Sequence, residues 1–192
     1  LFRSKAFSEN VEVSHVGLSR RAKSGIVKRM IRTGIGYDSH RLVSGRKLVL
    51  GGVEIAHEQG LLGHSDADVL IHALCDALLG AVADGDIGQH FSDTDPRWKD
   101  ADSTTLLARV VERLSRAGWR ILNTDATVVA EAPKLHPHVA AMRMRLAEVM
   151  GIDCSRVSVK AKTNEGMDAV GRREGISAVA VATVAQRELS LG

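Results

Sequence analysis

The strongest constraint on the fold is an alternation of short β-branched segments with longer segments of helical periodicity, which runs from Arg32 to Val184. β-branched runs of this length favour strands, and apolar residues that recur every three or four positions favour helices. A chain in which the two kinds of segment alternate folds as a sheet covered by helices. We therefore predict an α+β fold, a two-layer sandwich in which helices cover one face of a mixed sheet of four or five strands.

The segments behind this prediction are separated by turn residues. The predicted strands are residues 32–37, 47–53, 121–130, 157–162 and 176–184. The predicted helices are residues 66–83, 104–117 and 137–150. We expect residues 54–60 to form a connecting turn, Ser103 to cap the second helix, and Gly118 and Gly151 to end the second and third helices.

The net charge of the 192-residue chain differs before and after Met30. Residues 1–29 hold seven basic and two acidic side chains, a net charge of +5, whereas the remaining residues hold 19 basic and 21 acidic ones, a net charge of −2. We therefore predict a basic leader over residues 1–29, outside the fold, and a single domain over residues 30–192. Three origins of the leader stay open: sequence upstream of a native start at Met30, an organelle transit segment, or a functional basic arm.

Composition argues against several classes of protein. Three Phe, two Trp and one Tyr leave little for base stacking, and the domain is slightly acidic, so we expect no nucleic-acid partner. No apolar run reaches the roughly 18 residues that cross a bilayer, so we expect no membrane segment. Two cysteines cannot supply the disulfide framework of a small secreted protein, which favours a reducing compartment.

Three polar side chains form a candidate metal site. Asp38 and His40 follow the first predicted strand two residues apart, so they point to the same side of an extended backbone. The middle of the first predicted helix is apolar apart from Asp68, His72 and Asp76, whose spacing of four places them on one stripe. A carboxylate and two imidazoles with a fourth position free suit catalytic Zn²⁺. A solvated turn and a solvated helix face are the alternatives.

Several turns carry groups suited to phosphate or metal binding. Residues 63–66 offer backbone N–H groups at a predicted helix start, with plain capping by Ser65 or Asp66 as the alternative. Four carboxylates lie within residues 84–95, a composition that ordinary turns also have. Glu165, in the turn after the strand at 157–162, can hold a hard cation such as Mg²⁺. Together these groups indicate phosphoryl chemistry.

Eight motifs in order resemble the 2-C-methyl-D-erythritol 2,4-cyclodiphosphate synthase family, and the resemblance covers residues 31–187. The motifs are GYDSH from Gly36, LGGVEI from Leu50, GHSDADV from Gly63, HALCDALLG from His72, GDIG from Gly85, FSDTDP from Phe91, APK from Ala132 and GRREGI from Gly171. One such motif is weak evidence, but eight in sequence without large insertions are specific.

The resemblance implies a homotrimer with active sites between neighbouring subunits. It also implies a phosphorus–oxygen lyase of the non-mevalonate isoprenoid pathway, which converts 4-diphosphocytidyl-2-C-methyl-D-erythritol 2-phosphate to 2-C-methyl-D-erythritol 2,4-cyclodiphosphate and CMP. A cytidylyltransferase is a candidate partner. The expected location is the bacterial cytoplasm, or a plastid only if residues 1–29 are a transit segment.

The same correspondence implies the residues of the site. Asp38, His40 and His72 would bind Zn²⁺, and Glu165 would hold Mg²⁺ or Mn²⁺ together with the substrate diphosphate. The implied catalytic residues are His64, Asp66 and Thr163. The implied substrate-binding residues are Ser65, Asp86, Gly88, Asp93, Ala130, Pro133, Lys134, Leu135, His136, Lys162, Thr163 and Arg172. Lys162 stands where a threonine is common in the family, and Arg172 would lie with Glu174 in the central channel of the trimer.

Two alternative functions stay open from the residues alone. A zinc-dependent phosphohydrolase would use Asp66 or Asp76 as a general base on a metal-bound water. A non-catalytic cytidine nucleotide-binding protein would bind zinc and cytidine without releasing CMP. The product separates these cases, because a cyclic diphosphate requires intramolecular attack and an opened phosphate requires attack by water.

Overall fold

The computed structural model describes residues 30–187, which fold around a five-stranded mixed sheet. Residues 1–29 and 188–192 lie outside the described part, and the predicted basic leader lies there with them. The strands are β1 (Ile31–Ser44), β2 (Leu48–Leu50), β3 (Val53–Ile55), β4 (Gln59–Leu61), β5 (Trp119–Val129), β6 (Val157–Lys162) and β7 (Gly175–Gln186). The predicted α+β fold with a five-stranded mixed sheet is confirmed.

The longer helices in this part of the chain are α1 (Val69–Ala81), α3 (Ser103–Arg116) and α4 (Val139–Met150). The shorter elements are α2 (Ile87–His90), α5 (Asp168–Gly171) and single 3₁₀ turns at Pro96–Trp98, His136–His138 and Cys154–Arg156. In α3 the buried side chains recur at helical spacing, as in Leu107, Val110 and Leu114, which explains why this segment is a helix packed on one side. None of the helices in residues 30–187 is long and apolar enough to cross a membrane.

The strand order β4-β1-β7-β5-β6 places the first and last long strands side by side. β1 pairs antiparallel with β7 from Ile31 opposite Ala185 to Arg41 opposite Gly175. β7 also pairs antiparallel with β5, whereas β5 and β6 are parallel. Parallel pairing aligns the carboxyl ends of β5 and β6, so the turns that follow them leave the sheet at the same edge.

Helix α1 lies against β1 and β7 at an unusually short distance. Ten of its 13 residues are buried, as the core position of an almost entirely apolar helix requires. Glycines on β1 permit the approach, because a Cβ at Gly36 would lie 2.0 Å from the carbonyl oxygen of Ala73, and one at Gly34 would lie 2.2 Å from that of Ala77. The close packing brings His72 of α1 next to the strand residues that follow Gly36.

The other face of the sheet is open in the single chain. Ile35 is 70% exposed, Tyr37 is 62% exposed and Val179 is 39% exposed, although all three are large apolar side chains in central strands. Apolar residues are normally scattered singly on a surface, so a group of them on one sheet face indicates a contact surface.

Two local predictions around the second strand are wrong. In place of the predicted strand at 47–53, a hairpin of β2 and β3 extends to Ile55, and β4 begins within the predicted turn at 54–60 and ends at Leu61. Gly51 and Gly52 have φ angles of 60° and 72°, a conformation that reverses the chain at the point where the apolar pattern continues. The apolar pattern of the hairpin therefore resembles that of a single strand.

The predicted helix starts also need correction. The helix predicted for 66–83 begins at Val69, because the Asp68 carboxylate accepts the N–H groups of Leu70 and Ile71. Asp68, rather than Ser65 or Asp66, is therefore the N-cap. Helix α3 is capped by Asp102, whose side chain accepts the N–H of Thr104 at 2.8 Å, and not by Ser103.

Candidate active site

Asp38, His40 and His72 converge on one point at the end of α1. β1 extends through Ser44, so Asp38 and His40 lie within the strand and point to the same side, toward the helix. Asp38 Oδ2 lies 2.9 Å from His40 Nε2 and 3.0 Å from His72 Nδ1, and the two nitrogens are 3.2 Å apart. Their ligand atoms all lie within 4.8 Å of one another, so this group is able to bind a metal ion.

In both imidazoles, the ring nitrogen that points away from Asp38 has a hydrogen-bond partner. His40 Nδ1 lies 2.9 Å from the carbonyl oxygen of Leu62, and His72 Nε2 lies 3.0 Å from Ser103 Oγ. An N–H that donates outward leaves the lone pair of the opposite ring nitrogen facing inward. The donor set therefore fits a metal ion, since a carboxylate oxygen and two imidazole nitrogens all face the same point.

Burial and mutual contact set the protonation of this group. Burial opposes ionisation of Asp38, but its close contacts with His40 and His72 outweigh it and hold the pKa of the carboxyl well below its usual range. Burial likewise lowers the pKa of His40, but its contact with Asp38 prevails and raises that pKa above the ordinary value. Asp38 is thus an anion at neutral pH, as a metal ligand must be.

A cavity of about 460 Å³ opens beside the metal-binding group. Of the residues predicted from sequence, Asp38, His40, His64, Ser65, His72, Gly88 and Asp93 line it. Asp86 does not line it and instead caps α2, where its carboxylate accepts the N–H of Gln89 at 2.9 Å. The loop at 91–102 closes one side and is tied down by hydrogen bonds from His64 Nε2 to the carbonyl of Asp95 and from the N–H of Asp100 to the carbonyl of His64.

The three polar residues predicted to share one face of α1, namely Asp68, His72 and Asp76, make different contacts. His72 belongs to the metal group, and Asp76 accepts the N–H of Ile87 at 2.7 Å, which holds α2 against α1. Asp68 is fully buried, and burial raises its pKa to about 6 despite hydrogen bonds from backbone N–H groups. Because Asp68 occupies the N–H groups of the first turn, the predicted anion site at the helix start is not available there.

Asp66 lies behind the cavity and contacts α3. Its two carboxylate oxygens accept the N–H and the hydroxyl of Ser103. Its Oδ1 also accepts the N–H of Asp68 at 3.2 Å. The structure therefore places Asp66 next to a residue that contacts His72, and not in the lining of the cavity.

The remaining predicted residues form a second group on the turns after β5 and β6. Val129 pairs with Lys162, and the N–H of Ala130 donates to the carbonyl of Lys162 at 2.9 Å, so the two turns run together. Glu131 fastens them further by accepting the N–H of Gly166 at 3.0 Å. The members of this group are Ala130, Pro133, Lys134, Leu135, His136, Lys162, Thr163 and Glu165.

Within one chain the two groups do not meet in the cavity beside the metal group, although His40 and Asn164 line another cavity in common. No residue of the turns at 130–136 and 162–165 lines the cavity beside Asp38, His40 and His72. Glu165 is exposed, and its carboxylate accepts the Thr163 hydroxyl at 2.6 Å. Arg172 is exposed and paired with Glu174 at 2.7 Å, also apart from the metal group.

Three residues that shape the site were not among those predicted from the sequence. Ser103 contacts His72, Glu131 joins the two turns, and Arg46 donates to the carbonyl of Ser65 at 2.5 Å. None of these contacts follows a helix or strand period. Only the acidic residue two places before Pro133 gave a local signal, since it precedes a rigid turn.

An α+β fold in which a strand and a buried helix bring Asp-His-His beside a cavity defines a domain that is able to bind a metal ion next to a small ligand. The profile of the YgbB family matches residues 31–185, most of the chain. A protein of Syntrophomonas wolfei named 2-C-methyl-D-erythritol 2,4-cyclodiphosphate synthase is 60% identical over 156 residues, which cover 81% of this chain and 99% of that protein. The chain belongs to the YgbB family, that of the 2-C-methyl-D-erythritol 2,4-cyclodiphosphate synthases.

Solved structures agree with this assignment. A 2C-methyl-D-erythritol-2,4-cyclodiphosphate synthase in its CDP-bound form is 39% identical with a TM-score of 0.74, and the match covers 80% of this chain and 99% of that one. The bifunctional IspDF from Campylobacter jejuni is 38% identical with a TM-score of 0.80. That match covers 83% of this chain but only 43% of the bifunctional one.

Proposed function

We propose that this protein converts 4-diphosphocytidyl-2-C-methyl-D-erythritol 2-phosphate to 2-C-methyl-D-erythritol 2,4-cyclodiphosphate and CMP. The observation that carries the proposal is the Asp38–His40–His72 group beside a cavity of about 460 Å³. Proteins similar to this chain are named for this product, and the structure of one of them is a CDP-bound form. The step belongs to the non-mevalonate route to isoprenoid precursors.

The reaction needs no protein nucleophile. An oxygen of the 2-phosphate bonds to the β-phosphorus, and the bond from that phosphorus to the oxygen it shares with the α-phosphate breaks. CMP leaves with that oxygen and its electron pair, and no water is consumed. Both reacting groups are anions, so the enzyme must hold them close together and offset their charge.

Asp38, His40 and His72 would hold Zn²⁺, because two neutral imidazoles and one carboxylate are the usual donors of a catalytic zinc site with an open position. A bound zinc ion supplies positive charge and Lewis acidity for the β-phosphate. Glu165 would hold Mg²⁺ or Mn²⁺ with help from the substrate diphosphate, since it offers a single exposed carboxylate and lies outside the three-residue metal group.

The other residues of the two groups bind and orient the substrate. His64 and Ser65 line the cavity and would contact the phosphates, while Gly88 and Asp93 would border the methylerythritol part. Asp86 would contact that part from the start of α2. The backbone of the turn from Ala130 to His136 would bind the cytidine, and the Thr163 hydroxyl would donate to the α-phosphate. Lys162 would add a positive charge near the diphosphate.

We further propose that the active protein is a homotrimer in which each site combines the metal group of one subunit with the two turns of its neighbour. Two observations support this arrangement. The turns at 130–136 and 162–165 do not line the cavity of their own chain, and Ile35, Tyr37 and Val179 form an exposed apolar face on the sheet. Arg172 and Glu174 would then lie near the trimer axis.

Light scattering tests the assembly. We expect the wild-type mass to be that of a trimer, and Ile35→Glu to dissociate it, since a charge on this face would be buried in the contact. Glu58, which is exposed, provides the control, and Glu58→Gln should leave the trimer intact. A catalytically competent wild-type monomer would contradict the shared site.

Product analysis tests the reaction. The protein is incubated with 4-diphosphocytidyl-2-C-methyl-D-erythritol 2-phosphate, Zn²⁺ and Mg²⁺, and the products are followed by ³¹P NMR. We expect the signals of a cyclic diphosphate and of CMP. An opened phosphate would instead indicate a hydrolase, and retention of intact substrate on the protein would indicate a nucleotide-binding protein without catalysis.

The bifunctional IspDF neighbour bears on the cellular context. This chain matches less than half of that protein, which leaves room there for a second enzyme unit. We propose that a cytidylyltransferase, acting earlier on the same cytidine-bearing compound, is the functional partner of this protein. Its relatives in bacteria favour the cytoplasm as its location.

A further inference from the structure

A line of three side chains leads from the buried side of α3 to the metal group. The Ser103 hydroxyl lies within hydrogen-bond distance of Asp66 Oδ1, and the N–H of Ser103 donates to Asp66 Oδ2 at 3.0 Å. On its other side Ser103 Oγ lies 3.0 Å from His72 Nε2. Ser103 is completely buried, so solvent cannot replace either contact.

Counting protons fixes the direction of these hydrogen bonds. The carboxylate of Asp66 accepts two backbone N–H groups, that of Asp68 on Oδ1 and that of Ser103 on Oδ2, so both of its oxygens act as acceptors. The single hydroxyl proton of Ser103 is therefore directed to Asp66. Only lone pairs of Ser103 Oγ remain for His72, so Nε2 of His72 must carry a proton and donate it.

Ser65 is the competing partner of the same nitrogen and is less well placed. Its Oγ lies 3.2 Å from His72 Nε2 and already accepts the N–H of Ala67 at 3.1 Å. No carboxylate accepts the proton of Ser65, which leaves that hydroxyl able to turn toward the cavity it lines. Ser103 is thus the residue that fixes the protonated nitrogen of His72.

The local backbone leaves Ser103 free for this task. It is the first residue of α3, where serine often serves the helix end, but Asp102 already caps the helix through the N–H of Thr104. The Ser103 side chain therefore has no role in capping. Its two partners are 37 and 31 residues away in the chain, so the contacts depend on the tertiary fold.

We propose that Ser103 and Asp66 are positioning residues that hold His72 in the tautomer with the proton on Nε2 and the lone pair of Nδ1 directed at the metal. The inference rests on the metal site of the proposed function. It assigns Asp66 an action through Ser103 and His72 rather than contact with the reacting atoms. Outer contacts of this kind typically change metal affinity by about 10- to 100-fold.

The test compares Ser103→Ala with Thr105→Ala, which removes a hydroxyl from the exposed side of the same helical turn. Zinc affinity is measured by competition with a chromophoric chelator. We expect about 10- to 100-fold weaker binding in Ser103→Ala and an unchanged value in Thr105→Ala. Equal affinity of Ser103→Ala and the wild type would overturn the inference.

A second measurement does not depend on the fold of any variant. In the zinc-loaded wild type, ¹⁵N NMR of the His72 ring should show a protonated Nε2 whose hydrogen exchanges slowly with solvent, and a metal-shifted Nδ1. A proton on Nδ1, or an Nε2 hydrogen in rapid exchange, would overturn the inference. Failure of the wild type to bind zinc would refute the proposed metal site itself, which distinguishes the two failures.

Discussion

At the scale of single residues, Asp38, His40 and His72 form one group able to bind a metal ion, and Ser103 contacts His72 from its other ring nitrogen. Their positions were predictable from local periods, because Asp38 and His40 are two residues apart on a strand, and His72 lies with Asp76 on the polar stripe of an otherwise apolar helix. The partner of His72 was not predictable, since Ser103 is 31 residues away and its position before an amphipathic helix favoured a capping role. Periodicity identifies which side chains share a face, but not which faces meet.

Loss of one imidazole tests the metal group directly. We expect His72→Ala to lose bound zinc and nearly all turnover, because Asp38 and His40 alone leave an incomplete ligand set. Metal content is measured by atomic emission after gel filtration, and turnover by CMP release. His57→Ala, in the segment before β4, serves as the control and should retain both. A zinc-free His72→Ala protein with normal turnover would refute the assignment.

A buried carboxylate predicts a pH effect on stability. The pKa of Asp68 is raised by burial from 3.8 to about 6, so the folded state binds its proton more tightly than the unfolded chain does. The corresponding stability is present at low pH and is lost as the pH rises through about 6. We expect the stability advantage of wild type over Asp68→Asn to fall between about pH 4 and 6, by on the order of 1 kcal/mol per pH unit.

Urea unfolding of both metal-free proteins across this pH range measures the effect. Subtracting the Asp68→Asn curve removes the titration of groups on which Asp68 has no effect, such as Asp38. If the free energy of unfolding varied with pH in the same way in both proteins, burial would not raise the pKa of Asp68, and the prediction would be wrong.

At the scale of elements, the longer helices and four of the five sheet strands were predicted near their observed positions, whereas the β2–β3 hairpin was not. Buried residues at helical spacing and a capping side chain define α3. Helix α4 has no side-chain cap at its start, but Gly151 ends it in the left-handed conformation with φ of 64° as expected. The hairpin escaped because Gly51 and Gly52 interrupt a short apolar run that resembles one strand. The periodicity of the sequence does not predict how closely α1 packs on β1, although Gly34 and Gly36 make this close packing possible.

Close packing of α1 on β1 gives the prediction at this scale. A Cβ at Gly36 would meet the backbone of Ala73 and Ala77, which cannot move without displacing the helix. We expect Gly36→Ala to lower the free energy of unfolding by about 2 to 3 kcal/mol and to weaken zinc binding, because His72 would move away from Asp38.

The matched control lies on the same helix. A Cβ at Gly80 would meet nothing closer than the carbonyl oxygen of Ile35 at 3.8 Å. Gly80→Ala should therefore be neutral or stabilising by up to about 1 kcal/mol, since alanine favours the helix. Thermal unfolding and zinc titration of both variants measure the two effects, and equal behaviour of the pair would contradict the role of close packing.

At the scale of the whole molecule, we propose that the chain carries two half-sites, which do not meet in the cavity beside Asp38, His40 and His72. One half holds the metal group and the cavity, and the other consists of the turns after the parallel strands β5 and β6. The residues of each half-site could be assigned to the same half from the sequence, because they lie on motifs that follow one another along the chain. In the proposed trimer the two halves come from neighbouring subunits, and the exposed sheet face with Ile35 and Tyr37 supports that proposal.

The most direct test of a site shared between subunits is complementation in mixed trimers. His72→Ala and Glu165→Ala proteins are co-expressed with different affinity tags and purified through both tags, so that every trimer contains both variants. Each variant alone should have lost nearly all turnover. In a closed ring every mixed trimer contains one intact pair of half-sites, so we expect about one third of the wild-type turnover per trimer.

The control pairs two lesions in the same half, His72→Ala with Asp38→Ala, which should yield no recovery because no intact metal half remains. CMP release is measured for both mixtures at equal trimer concentration. Recovery of about one third in the first mixture alone is the result that a shared site predicts. Absence of recovery in mixed trimers that are otherwise folded and zinc-loaded would contradict it.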